Sequence, residues 1–199
     1  MDAMKLERKS FPAKKKYTAK EFFEFTKDKP ENERYELIDG EIYMMASPST
    51  NHQRIGGFIY RQIGDYLDGK KCEVFISPLD VVLFEKDKKN ENDKSQNVFQ
   101  PDVFVVCDPE KISDKRIYGA PDFIIEIASP SSETNDYFKK FKVYFKYGVK
   151  EYWIVNPETK QITVYIDIND EYYKTYTFDD KVKVSILDDL EIDFKALQI

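Results

Sequence analysis

The 199-residue sequence has few of the residues that bind zinc or form the catalytic triads of hydrolases. It contains one histidine, His52, and two cysteines, Cys72 and Cys107, neither of which belongs to a metal-ligand pair. This scarcity leaves little material for a His/Cys zinc site or a Ser-His-Asp triad. Free thiols are the usual state of cysteine in a reducing compartment, so we expect a cytoplasmic protein with reduced cysteines.

Long apolar runs are also lacking. No stretch approaches the ~20 apolar residues that a transmembrane helix needs, and the N-terminus lacks the apolar stretch of a secretion signal. The sequence nevertheless contains 15 Phe and 14 Tyr, which supply apolar area for a core. We therefore expect a folded protein with no membrane partner.

Basic residues are outnumbered by acidic residues in most of the chain. Residues 1–16 hold six of the 31 basic and two of the 37 acidic residues, which leaves 25 basic against 35 acidic residues in the remaining 183. The pattern predicts a flexible basic arm over 1–16 and one domain over 17–199. Proteins that bind nucleic acid usually show a basic footprint. Residues 17–199 either do not bind nucleic acid or do so through a local basic patch, a metal, the arm or a partner.

Local patterns predict alternating helices and strands. Thr18 and Glu21 form a capping box for a short helix, Asp39-Gly40 is a hairpin turn signal, and isoleucines at every fourth position predict a helix over 50–67. A third helix is predicted over 135–147. Further strands are predicted over 35–38, 41–45, 72–76, 79–85, 101–107, 122–128, 151–155, 161–167, 172–178 and 181–186. This order indicates one α/β (α+β) domain, with a mixed central sheet, flanking helices and C-terminal antiparallel hairpins.

Two carboxylates lie in strands that are otherwise apolar. Asp102 opens one strand after Pro101, and Glu126 lies between Ile125 and Ile127 in another. A buried ionised carboxylate is costly unless it is paired or holds a metal. Two carboxylates that converge from neighbouring strands would suit Mg²⁺ or Mn²⁺. The alternative is that both make structural ion pairs at strand ends.

A possible third group follows on the next helix. Asp136, Lys140 and Tyr144 recur at every fourth position and share one face. Either Asp136 and Lys140 form a surface salt bridge, or Lys140 points back to the carboxylates. There its ammonium could orient an attacking water or stabilise a pentavalent phosphate. In that second case, we expect Lys140→Ala to abolish the attack of water on the phosphate with little loss of protein stability.

Several separated segments carry a family resemblance. Pro101-Asp102 followed by Glu126 resembles the metal-binding core of the PD-(D/E)xK nucleases. The wider set resembles the Uma-two family of bacterial proteins, which are assigned as restriction endonucleases. The resembling segments are YELIDGEI (35–42), SPSTNHQ (47–53), SPLDV (77–81), QPDVFVVCDP (100–109), GAPDFIIEIASPSS (119–132), Asp136…Lys140…Tyr144 and GVKEYWIVNP (148–157).

The resemblance implies a restriction-endonuclease-like fold and Mg²⁺-dependent hydrolysis of phosphodiester bonds, with Mn²⁺ as the other candidate ion. It implies that Asp102 and Glu126 bind the metal, with the Ile127 carbonyl as a third ligand. The nuclease superfamily expects a lysine two residues after Glu126, where this chain has Ala128. Lys140 is the expected replacement. DNA is the expected substrate, with RNA as the weaker alternative. A homodimer is one expected assembly because nucleases that cut both strands often pair identical sites.

Other interpretations stay open. The fold could instead serve as a catalytically silent scaffold or interaction module. Five residues are candidates to support the catalytic group, and each has a structural alternative. These are Glu36 (or a solvent-facing strand residue), His52 (or a surface helix cap), Asp80 (or a strand-turn anchor), Asp136 (or a surface ion pair) and Tyr144 (or a core residue).

Overall fold

The computed structural model describes residues 15–84, 93–129, 134–166 and 173–199, without the side chains of 134–136 and 138. Most of the predicted basic arm (1–14) lies outside the described residues, and so do the predicted strand ends at 85, 167 and 172. Lys15 and Lys16 of the arm are described, and they form ion pairs with Glu21 and Glu41, both at 3.3 Å. Within the described ranges, no helix is long and apolar enough to cross a membrane.

Three α-helices are present in the described residues: α1 (Ala19–Thr26), α2 (Thr50–Leu67) and α3 (Thr134–Tyr147). The capping box at Thr18 forms as the sequence predicts, and the Ser49 side chain caps α2 by accepting from the His52 backbone N–H. Gly148 follows α3 with a positive φ of 104°, the conformation that favours glycine after a helix end.

The strands form two larger sheets and one small hairpin. Their bounds are β1 (Tyr35–Ile38), β2 (Glu41–Met44), β3 (Glu73–Ile76), β4 (Asp80–Val82), β5 (Val98–Phe99), β6 (Val103–Val106), β7 (Arg116–Tyr118), β8 (Phe123–Ile127), β9 (Glu151–Asn156), β10 (Gln161–Tyr165), β11 (Lys174–Thr177), β12 (Lys181–Lys183) and β13 (Glu191–Asp193). One sheet has the order β11-β10-β9-β8-β6-β3, and the other β2-β1-β5-β4-β7. Strands β12 and β13 pair with each other.

Both sheets are mixed. In the six-stranded sheet β8 and β9 run parallel, with α3 as the crossover between them, and the other neighbours are antiparallel. In the five-stranded sheet only β4 and β7 run parallel. The mixed α/β fold is therefore as predicted, although the strands divide between two sheets. The short strands β5, β7 and β13 were not predicted, because two or three residues are too few to show a period.

The central strands β6 and β8 of the six-stranded sheet are buried on both faces. Val103 and Val105 of β6 pack with α2 in one core, whereas Phe104 and Val106 pack in a second core that includes residues of the five-stranded sheet and α3. This alternation follows the two-residue period of a strand. Burial on both faces explains why this strand reads as continuously apolar.

The cysteines differ from the expectation of free thiols. Cys72 and Cys107 form a disulfide that closes a separation of 35 residues. The cause lies in the register of β3 and β6, which pairs Glu73 with Val106. This register places Cys72, just before β3, opposite Cys107, just after β6. The prediction of reduced cysteines failed because the sequence alone did not show that these two strands are neighbours.

Candidate active site

Asp102 and Glu126 meet across adjacent strands. β6 and β8 are antiparallel neighbours with Val103 opposite Ile125, and the same register places Asp102 opposite Glu126. Residues opposite each other point to the same face of a sheet, and both side chains line one cavity. The backbone N–H of Ile127 donates a 2.7 Å hydrogen bond to Oδ2 of Asp102, which holds that carboxylate against the end of β8.

Glu126 is buried and receives two hydrogen bonds on one oxygen. Lys140 Nζ lies 3.1 Å from Oε1 of Glu126, and the Tyr144 hydroxyl donates to the same oxygen at 2.6 Å. Both donors lie on α3, one turn apart, so the helix presents them together. Tyr144 is thus both a fully buried core residue and a hydrogen-bond donor to the site, which joins its two predicted roles.

The second carboxylate beside Lys140 comes from the other sheet. Glu36 lies on β1, between β2 and β5, and is buried rather than facing solvent. Its Oε1 and Oε2 lie 3.0 and 2.9 Å from Lys140 Nζ. The backbone N–H of Gln100 donates a 3.0 Å hydrogen bond to Oε1 of Glu36. The lysine therefore links α3 with both sheets.

The ionisation of this cluster reflects burial and mutual charge. Burial raises the pKa of Glu126 to about 7, the nearby charges of Asp102 and Glu36 add to the rise, and Lys140 and Tyr144 oppose it. Burial alone would lower the pKa of Lys140, but Glu126 and Glu36 raise it well above its ordinary value. Lys140 is therefore a cation at neutral pH.

His52 lies next to Asp102. Its Nε2 is 3.1 Å from Oδ2 of Asp102, and its side chain is mostly buried. Burial lowers the pKa of His52, but the hydrogen bond and charge of Asp102 outweigh burial, so its pKa is raised. The Nδ1 atom is buried with no hydrogen-bond partner among the described residues. His52 thus lies at the site rather than serving only as a surface helix cap.

The two remaining candidates are Asp80, which lies away from the cavity, and Asp136. Asp80 does not line the cavity; it accepts a 2.9 Å hydrogen bond from the Gln100 side chain and lies 3.5 Å from Arg116 Nε. Gln100, whose backbone N–H donates to Glu36, therefore links Asp80 to Glu36. The side chain of Asp136 lies outside the described residues, so its proposed role stays a prediction.

The cavity has a volume of about 300 Å³ and includes residues that the sequence did not single out. Arg34 lines it and donates to Ser77 Oγ at 2.9 Å and to the Ala46 carbonyl at 3.4 Å. Its spacing of two residues from Glu36 was the available signal, because this period places both on one side of an extended chain. Tyr137, on the first turn of α3, lines the same cavity and accepts a 3.3 Å hydrogen bond from the Ser129 backbone N–H.

Asp102 and Glu126 each have one carboxylate oxygen outside the contacts described above. Within the described part of the chain, no three His, Cys, Asp or Glu side chains gather as a ready metal site. The Ile127 N–H and His52 contact Oδ2 of Asp102, and Lys140 and Tyr144 contact Oε1 of Glu126, so the second oxygen of each carboxylate is the natural ligand. Mg²⁺ is often held by one or two carboxylates, with water and substrate phosphate completing its shell.

Comparison with known proteins adds a family and a fold. The family model Uma2, described as "Putative restriction endonuclease", matches residues 19–198. Two proteins of Synechocystis sp. are similar to the chain: uncharacterized protein slr1290 is 30% identical over 68% of this chain and 67% of its own length. Uncharacterized protein sll1609 is 25% identical over 78% of this chain and 84% of its own length.

A solved structure from Anabaena variabilis, described as "a putative nuclease belonging to DUF820", superposes with a TM-score of 0.70. The match covers 87% of this chain and 94% of that chain, at 21% identity. At this identity the likeness concerns the fold alone. It agrees with the restriction-endonuclease-like architecture that the sequence motifs imply.

Proposed function

Because the chain belongs to the Uma2 family, whose motifs its sequence carries, we propose that it is a metal-dependent endonuclease that hydrolyses phosphodiester bonds in DNA. One observation carries the proposal. The Lys140 ammonium lies 3.1 Å from Glu126, and both line the same cavity as Asp102. Two carboxylates and a lysine are the groups that the PD-(D/E)xK resemblance calls for, although here the lysine comes from the helix after β8.

Asp102 and Glu126 would hold the divalent ion, Mg²⁺ or Mn²⁺. When bound, the ion would supply Lewis-acid polarisation of the phosphate and stabilise its developing charge. Asp102 is oriented for this role by the Ile127 N–H and His52, and Glu126 by Tyr144. These supporting contacts fix the ligand oxygens, as second partners of metal ligands usually do.

Lys140 would act on the phosphate or on the attacking water. Its ammonium is positive at neutral pH and lines the cavity. A preorganised cation in a site with little water stabilises charge that develops in a transition state. Glu36 would position the lysine by holding it from the opposite side, with both oxygens in contact.

Residues 17–199 have more acidic than basic side chains, so binding of an anionic nucleic acid requires local positive charge. Arg34, His52 and Lys140 bring basic groups to a cavity that also holds three carboxylates. A bound divalent ion would make the site attractive to phosphate. The basic N-terminal arm would add affinity outside the site. Cleavage of both strands would call for two paired copies of the chain. A cytoplasmic location belongs to the same proposal, although the Cys72–Cys107 disulfide removes reduced cysteines as a ground for it.

One observation favours the silent scaffold instead. Lys140 already pairs with both Glu36 and Glu126, so each of these buried carboxylates has a cationic partner without a metal. Buried ionic groups of this kind can serve structure alone. The scaffold hypothesis therefore predicts no metal at Asp102 and Glu126 and no cleavage.

Incubation of purified protein with plasmid and with single-stranded DNA, in Mg²⁺, Mn²⁺ or EDTA, tests the proposal. We expect nicking that requires the ion and is lost in Asp102→Asn and Glu126→Gln. Glu73→Gln is the matched control, because Glu73 is an exposed strand carboxylate away from the cavity. No nicking of any substrate under these conditions would favour the scaffold, whereas equal nicking in EDTA would contradict the metal dependence.

A further inference from the structure

A second cavity of about 560 Å³ adjoins the candidate active site. Among the described residues, its lining comes from the end of β8, α3 and the strands β9, β10 and β11 with their connections. Ser129 and Tyr137 line both cavities, so the two adjoin at these residues. We call the second one the tyrosine cavity, after Tyr137, Tyr165 and Tyr173 in its lining.

Both cavities lie over the same face of the six-stranded sheet. The strand register aligns Glu126 with Ile154, Ile154 with Thr163, and Thr163 with Thr175. Aligned residues share a face, so one row of side chains runs from Glu126 to Thr175. Neighbouring strands are ~4.8 Å apart, which puts Thr163 roughly 10 Å from Glu126 across the sheet. A nucleotide next to a phosphate bound in the active-site cavity beside Glu126 would reach this row of side chains.

Aromatic rings form one wall of the tyrosine cavity. The ring of Tyr165 packs against Phe141 at 4.7 Å and against Tyr173 at 5.7 Å between centroids. Tyr173 is 58% exposed. Exposed aromatic faces that adjoin a cavity are suited to stack on nucleobases.

The part of the polar lining that the structure describes is almost entirely neutral. Among the described residues of the lining, Glu158 is the one charged side chain, and it is acidic. A phosphate would be disfavoured next to it. Amides and hydroxyls can donate and accept hydrogen bonds, as the edges of bases require. Those of the lining belong to Ser129, Asn156, Thr159, Gln161, Thr163 and Thr175.

We propose that the tyrosine cavity binds an unpaired nucleobase from a nucleotide next to the cleaved phosphate. The inference rests on the proposed nuclease function and narrows its substrate to single-stranded or locally unpaired nucleic acid. A base held in a duplex cannot present its face to Tyr173, because both its faces are stacked on neighbours. The base must therefore be unpaired before it enters, or leave the helix on binding.

Binding of a single-stranded oligonucleotide that contains several 2-aminopurine residues tests the inference. Ca²⁺ replaces Mg²⁺ to slow cleavage, and both anisotropy and 2-aminopurine fluorescence are recorded. We expect the wild type to quench the fluorescence by stacking. Tyr173→Ala should bind the single strand ~10-fold more weakly and lose the quenching. Tyr60→Ala is the control, because Tyr60 is 37% exposed on α2, outside both linings.

The outcomes separate this inference from the proposed function. Equal affinity and quenching for Tyr173→Ala and Tyr60→Ala, or no quenching by the wild type, would overturn the nucleobase site. If such a protein still nicks plasmid with Mg²⁺, the nuclease proposal stands without it. Conversely, quenching that depends on Tyr173, in a protein that cuts nothing, would support the base site and remove the nuclease.

Discussion

Lys140 and Glu36 are 104 positions apart in the chain, yet the lysine Nζ lies within 3.0 Å of both oxygens of the glutamate. Both side chains are buried. The same Nζ contacts Glu126, so one ammonium joins a carboxylate from each sheet. The pairing makes Lys140 part of the protein's architecture as well as a candidate for its chemistry, and it changes what its removal should do.

We expect Lys140→Ala to abolish nicking and also to destabilise the protein. Its loss would leave Glu36 and Glu126 buried without their cation, and breaking a buried pair typically costs ~3–5 kcal/mol. The sequence alone predicts little stability loss, because helical spacing does not show that the lysine is buried between two carboxylates. Urea unfolding measures the cost, and nicking is assayed at a temperature where circular dichroism shows the variant to be folded.

Lys139→Ala and Lys142→Ala provide the internal controls for Lys140. Both residues are exposed on the same helix, and neither lines the active-site cavity. Their replacement should change nicking by less than twofold and stability by no more than ~0.5 kcal/mol. The same nicking rate in all three alanine variants would remove Lys140 from the chemistry and leave it a structural cation.

Weak metal binding should depend on both strand carboxylates. We expect calorimetry to show Mg²⁺ or Mn²⁺ binding to the wild type and none measurable to Asp102→Asn or Glu126→Gln, because each change removes a ligand charge from an oxygen site. The near-isosteric amides keep the fold mostly intact, which circular dichroism checks. Equal affinity in the wild type and both variants would support the silent scaffold.

The Cys72–Cys107 bond should contribute measurably to stability. It closes a separation of 35 residues, for which the chain-entropy relation gives about 4 kcal/mol. We expect dithiothreitol to lower the wild-type Tm but to leave the double variant Cys72→Ser/Cys107→Ser unaffected. Thiol titration of the unfolded, unreduced protein provides the check. Two reactive thiols per chain would show that the bond does not form in solution.

The sequence was most informative where the structure is local. The capping box at Thr18, the Asp39-Gly40 turn and the span of α2 all follow from neighbouring residues, and all three form. Both Asp39 and Gly40 have positive φ (47° and 78°), as the turn that joins such hairpins requires. Long periodic or turn-bounded segments could thus be predicted with nearly correct ends.

The candidate site was only partly readable because its contacts are not local. An acid inside an apolar strand drew attention to Glu126, and helical spacing drew attention to Lys140 and Tyr144. No local sequence pattern indicates that β1 of the five-stranded sheet lies close to α3. The sequence could therefore suggest a role for Glu36 but could not pair it with Lys140. Gln100, which links Asp80 to Glu36, gave no signal because its contribution depends on tertiary position.

Asp122 supports a pH-dependent prediction away from the active site. Its buried carboxylate accepts 2.8 Å and 2.7 Å contacts from the Cys107 backbone N–H and Lys150 Nζ. Burial alone would raise its pKa, but these two partners outweigh burial, so the pKa is lower in the folded protein than its ordinary value. The unfolded chain therefore binds more protons in acid, and stability must rise with pH there.

Asp122→Asn should consequently lose stability at neutral pH but much less in acid. The wild-type stabilisation from Asp122 is fully present above its unfolded pKa of ~3.9 and disappears as the pH falls through the lower folded pKa. At pH 7 we expect a loss of ~1–3 kcal/mol in the free energy of unfolding, measured with urea. Asp189→Asn, at an exposed position, should show little change at either pH. A loss for Asp122→Asn that stays constant from pH 7 to well below the folded pKa would mean that its carboxylate is not held ionised by Cys107 and Lys150.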